Sequence, residues 1–306
     1  MRVQHKNLLK NIFYRFGIQV RRAKNVLPVD LTNAEDIDPV SAAYIARGRP
    51  ALFFVPIDRV LTFGYTGFTI GPDSNNPFVR TLSACKETLR VKYDESPLKV
   101  FYSLYQPASV KDILGLENPS FTSFDTLPPE AAPKLWLDEQ PGQLSPVRSK
   151  QVESENREHG LNENDTAGDP FFGPVTRPKG EFELKRIIRI YQSIKNRGLK
   201  IDWNGINNIR VVALVAKSDW RIMIAHSGQH RAAALAALGY REIPVQLQST
   251  TGCGGLVSRC QVDSWPSVRN RYFMKNEALQ VFDRIFQGIP PNSARAWLQH
   301  NQTYTH

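Results

Sequence analysis

The stretch Ile224-Ala-His-Ser-Gly-Gln-His-Arg231 concentrates the residue types of this chain that could do chemistry: two imidazoles, a hydroxyl, a glycine and a guanidinium. Apolar and β-branched residues precede it and an alanine-rich run follows, so it reads as a strand turning directly into a helix. Gly228 lets the backbone bend and approach a ligand closely. The first amides of a helix have no intrahelical partner and sit at the positive end of its dipole, which suits phosphate. Arg231 adds a planar fork of donors matched to phosphate oxygens. On spacing alone, a binding role stands level with a plain structural one in which Arg231 is a surface cation and His226 and His230 are satisfied histidines.

The elements that must position this turn are legible on either side. Glu181 to Arg197 carries Leu184, Ile187, Ile188, Tyr191 and Ile194 at helical spacing and stops at Gly198. Asn208 to Val215 and Trp220 to Ala225 read as strands joined over Lys217-Ser-Asp219, a hairpin. His230 to Leu238 is a strong helix with Gly239 as its stop, and Ile243 to Leu247 is the next strand. The expected order is helix, strand, strand, glycine turn, helix, strand.

Ser227-Gly-Gln-His-Arg-Ala-Ala-Ala-Leu-Ala-Ala-Leu-Gly-Tyr-Arg-Glu-Ile-Pro-Val245 resembles the Gly-x-x-Arg box of the ParB/sulfiredoxin superfamily, including the alanine-rich helix and the trailing Ile-Pro-Val. Ile190-Tyr-Gln-Ser-Ile-Lys-Asn-Arg-Gly-Leu199 resembles the first box of that family. The two cover about 80 of 306 residues. The resemblance implies a small mixed sheet with helices over residues 170–250. It also implies a nucleotide phosphate site lined by Ser227, Gly228, Gln229, His230 and Arg231, taking CTP or ATP/ADP. Two departures narrow what it implies. Sulfiredoxins keep a reactive cysteine where this chain has Gln229, which argues against sulfinic acid reduction. ParB partition proteins continue into a DNA-binding domain, and the 61 residues after Val245 are too few for one.

The chain has neither a P-loop nor a Gly-x-Gly-x-x-Gly turn. A phosphotransferase on this scaffold needs a carboxylate to orient or deprotonate the accepting hydroxyl, together with Mg²⁺ on the phosphates. Glu181 and Glu183 are the catalytic candidates; the competing explanation is an acidic first helical turn that complements the dipole. A second class of function is a nucleotide-gated switch or a DNA-associated protein, using Arg186, Arg189 and Lys195 along the helix.

The remainder bounds the setting. Hydrophobic residues at 41% and charged residues at 22% indicate a folded chain. The fold class expected is mixed α+β, with an N-terminal α+β region over 1–126, a proline-rich then acidic linker over 127–169, the 170–250 module, and a helical extension over 251–306. No apolar run reaches the length of a membrane span, and no secretory signal is recognisable, so the cytoplasm is the expected compartment. Three cysteines, Cys85, Cys253 and Cys260, suggest neither a disulfide framework nor a zinc site, and no metal ligands are assigned. The net charge of +10 is partly concentrated in residues 1–24, which hold seven Lys or Arg and no acid. There Leu8, Leu9, Ile12, Phe13 and Phe16 share one helical face. Such a segment either attaches to an anionic membrane surface or nucleic acid, or docks on its own domain. The overall layout is similar to bacterial proteins of surface-polysaccharide gene clusters, which implies a place at the inner membrane face.

Overall fold

The structure, a computed structural model, describes residues 26–62, 64–85, 91–142, 157, 168–201, 208–248 and 255–302. The amphipathic segment 1–24, Cys253 and most of the acidic stretch between 143 and 167 lie outside the described residues. In chain order, β1 (Val29–Asp30), α1 (Pro39–Ala46), β2 (Ala51–Pro56) and β3 (Val60–Leu61) precede α2 (Pro77–Ala84), α3 (Pro97–Leu104) and α4 (Val110–Leu114). Next come α5 (Arg177–Arg197), β4 (Arg210–Ala216), β5 (Asp219–Ser227), α6 (Gln229–Ala237), β6 (Glu242–Leu247) and β7 (Leu256–Ser258). The chain closes with α7 (Pro266–Arg269), α8 (Lys275–Phe286) and α9 (Arg295–Gln302). The class is α+β, and the expected order around the glycine turn is observed as α5, β4, β5, α6, β6.

One mixed sheet of seven strands organises the chain in the order β1-β2-β6-β4-β5-β3, with β7 also alongside β4. The β4–β5 hairpin pairs Ala213 with Ile222 and Val212 with Met223. Its turn places Lys217 at a φ of 55°. β2 runs antiparallel to β6, Phe53 facing Val245 and Ala51 facing Leu247. β3 lies parallel to β5 at the other edge. Strands from both sides of the 127–169 stretch therefore share a single sheet.

The helices that frame the turn begin and end where their local chemistry dictates. Asn76 caps α2 by accepting the amides of Phe78 and Val79 at 2.9 and 3.1 Å, and Pro77 occupies the first helical position. α5 starts at Arg177, four residues ahead of the sequence expectation, because Thr176 caps it and Pro178 sits in its first turn. Glu181 and Glu183 are consequently beyond the first turn, and the dipole explanation for them is lost. After its polar first turn α6 is apolar all round, with Ala232 to Ala237 buried, since it packs against both α2 and α5. Alanine is what fits there: methyl side chains let three helices approach one another closely.

The C-terminal helices pack back on the first half. Trp297 is fully buried and donates its indole N–H to the Asn75 carbonyl at 2.8 Å. Arg284 donates to the carbonyls of Tyr65, Ile289 and Leu114 at 2.8, 2.8 and 3.3 Å, and burial lowers its pKa to about 10. Part of the proline-rich stretch is packed as well. Leu135 and Trp136 are buried, the Tyr65 hydroxyl donates to the Pro133 carbonyl, and the Ser267 hydroxyl donates to that of Leu135. No helix among the described residues is long and apolar enough to cross a membrane.

Candidate functional site

β5 runs into α6 through Gly228, whose φ of 107° belongs to the region that glycine tolerates. A second constraint is steric. A Cβ at this position would fall 2.6 Å from Ile209 Cα, so the close approach that requires glycine here is to the start of the neighbouring strand. That neighbour is tied to the turn by polar contacts. The Asn208 carbonyl accepts from the Ser227 hydroxyl and from Arg231 Nη2, both at 3.1 Å, and the Asn208 amide donates to Gln246 Oε1 at 3.0 Å. Arg231 thus helps to hold the turn against the chain before β4.

His230, in the first turn of α6, faces a group that the sequence placed 47 residues earlier. Its Nε2 lies 3.0 Å from Glu183 Oε2. The two atoms are close, but the geometry is not that of a well-directed hydrogen bond. Phe78 of α2 closes the other side of the imidazole edge-on, with ring centroids 4.8 Å apart. Glu183 is fully buried, at 0% exposure. Around it stand Lys179 Nζ at 3.9 Å and Arg186 Nη1 at 3.8 Å from Oε1, on the same side of α5 at spacings of four and three residues. Burial pushes the Glu183 carboxyl pKa up, but the neighbouring His230 first, and then Lys179 and Arg186, outweigh it and hold the group below the usual carboxylate range. Lys179 is as buried as the carboxylate, whereas Arg186 is 42% exposed and leads from this cluster to solvent.

Of the two catalytic candidates, the structure brings only Glu183 to the turn. Two residues apart on a helix means roughly 200° of rotation, and Glu181 accordingly points away. It accepts from Arg177 Nε at 3.0 Å, while Arg177 Nη2 reaches Asp94 at 2.6 Å. Among the nucleotide candidates, Ser227, Gly228, His230 and Arg231 share the turn, and Gln229 is there too but largely buried. Lys179, Asn208 and Gln246 were missed; the i, i+4 pairing of Lys179 with Glu183 was the one signal available for any of them. Among the described residues no group of three or more His, Cys, Asp or Glu is arranged to hold a metal ion. A Mg²⁺ ion beside Glu183 would meet three basic side chains, so this carboxylate does not suit one. Cys85 is buried, which raises its thiol pKa, and Cys260 is exposed. Comparison with protein-family models, with curated proteins and with solved structures gave no match to this chain.

Proposed function

We propose that the protein binds the phosphates of a nucleotide at the turn from β5 into α6, in the manner of the ParB/sulfiredoxin-like proteins whose box it resembles. One observation carries the reading: a helix of nine residues starts at a glycine with positive φ, and its first turn holds both His230 and Arg231. The amides of that turn and the guanidinium of Arg231 are of the chemistry a phosphate needs. Arg186, 42% exposed and 3.8 Å from Glu183 Oε1, adds a cation from α5. Glu183 serves in this account as a positioning residue. It is buried among basic side chains and so is poorly placed to take a proton from an incoming hydroxyl, but it sets a negative charge 3.0 Å from His230 Nε2.

That burial favours binding before turnover. The nucleotide-gated switch is therefore the better-supported form of the proposal, and phosphotransfer or nucleotide hydrolysis is the extension that an additional carboxylate would be needed to support. Any Mg²⁺ enters with the nucleotide, held by its phosphates. Calorimetric titration with CTP, ATP and ADP in the presence of Mg²⁺ tests the reading, comparing the protein with an Arg186→Ala variant, whose thermal melt shows whether the fold is retained without the contact to Glu183. Binding of one nucleotide, weakened at least tenfold in the variant, is expected. No heat with any nucleotide at millimolar concentration would remove the proposal. The membrane role proposed for residues 1–24, at the inner face and near polysaccharide assembly, is tested separately by sedimentation with anionic vesicles: deletion of those residues should release the protein.

A further inference from the structure

A groove of about 510 Å³ runs along the opposite side of α5 from the Glu183 cluster, bounded across from it by residues 91–94. Its floor is apolar. Leu184 and Ile188 lie one helical turn apart on α5, Val91 faces them, and Tyr93 forms a wall. That wall is rigidly seated, because Gly180 of α5 lies directly under the Tyr93 ring: a Cβ there would fall 2.1 Å from the ring carbon Cζ. The rim is charged and unbalanced. Asp94 and Glu181 are both spent on Arg177, at one end of the groove. Lys92, Lys185 and Arg189 are exposed and have no acidic partner among the described residues.

An apolar trough of this volume falls within the roughly 300–1,000 Å³ range of small-molecule sites. Three uncompensated cations on its rim select for negative charge. From this juxtaposition we propose a second ligand site, separate from the Gly228–Arg231 turn, that takes a small amphiphilic anion: an apolar body laid on Leu184, Ile188 and Tyr93, with a carboxylate or phosphate head held by Lys185, Arg189 and Lys92. A bare inorganic anion would leave the trough uncovered, and a neutral hydrocarbon would leave the cations unanswered. Glu181, a catalytic candidate in the sequence, then belongs to the wall of this groove, where it and Asp94 outnumber Arg177, leave that end with a net negative charge and confine the anion-binding end to the other three cations.

The test uses the full chain and three probes followed by calorimetry: decanoate below its micellar concentration, decanol below its solubility limit, and inorganic phosphate. Saturable binding of decanoate is expected, at least tenfold tighter than either decanol or phosphate. The double variant Lys185→Glu/Arg189→Glu, both positions being exposed, should lose at least tenfold in decanoate affinity while melting at the temperature of the parent protein. Arg186→Ala should leave decanoate binding unchanged, which separates this groove from the turn. Equal binding of decanol, undiminished decanoate binding in the double variant, or no saturable binding of decanoate would overturn the proposal.

Discussion

Replacing Glu183 by Gln removes the charge of a fully buried carboxylate while keeping its shape, and the structure says what that should do. The parent site holds Lys179, Arg186 and His230 around the carboxylate, two of its partners being almost as buried as it is. Breaking a buried ion pair from one side costs about 3–5 kcal/mol, because the opposite charge stays in a poorly solvating environment. The loss at pH 7 should fall in that range. Its pH dependence follows from the direction of the pKa shift. The carboxyl is held below its ordinary value in the folded protein, so its contribution is fully present above about pH 4.3, the unfolded value, and is lost as pH falls through the folded one. Urea unfolding of parent and Glu183→Gln proteins at pH 7 and then at steps toward pH 3 should give two stability curves that are well separated at neutral pH and converge in acid. A difference under about 1 kcal/mol at pH 7, well short of the loss expected for a buried pair, would refute the reasoning, and so would a difference that is constant across the range.

Three further substitutions probe other parts of the account. Gly228→Ala combines an unfavourable positive φ with an overlap against Ile209 Cα, and should destabilise by about 2 kcal/mol or more in a thermal melt. Arg284→Met leaves the carbonyls of Tyr65, Leu114 and Ile289 without their donor, and chemical denaturation should show a loss of about 3 kcal/mol. Ala234→Leu forces extra volume between α6 and its neighbours and should cost about 1–3 kcal/mol, with no change expected if α6 were a surface helix.

What could be read in the sequence was what is local. The Gly198 stop of α5, the β4–β5 hairpin and the strand-glycine-helix turn all follow from residues within a few positions of one another. Long-range pairing left no such trace. Phe53 and Val245 are neighbours in the sheet although they are 192 positions apart, and the edges of the sheet come from short strands in the first half. The prolines near 130 suggested a linker because proline interrupts regular structure, yet backbone carbonyls there accept buried hydroxyls and Leu135 and Trp136 enter the core. At the site, the periodicity of α5 placed Glu181 and Glu183 on different faces in principle. It took the packing of α5 on α6 to show that Glu183 meets His230. The start of α5 was obscured because the expected helix was anchored on its apolar stripe, which begins later than the Thr176 cap.

The most direct measurement follows the backbone amides of residues 228–231 by nitrogen-proton NMR while CTP, ATP and ADP are titrated in turn with Mg²⁺. The account predicts that one nucleotide shifts the amides of Gln229, His230 and Arg231 in a saturable manner, since these are the groups that face the phosphate, with little change along residues 91–94. Shifts that leave these three amides unmoved, or that cluster elsewhere in the chain, would contradict the claim that the start of α6 is where phosphate binds.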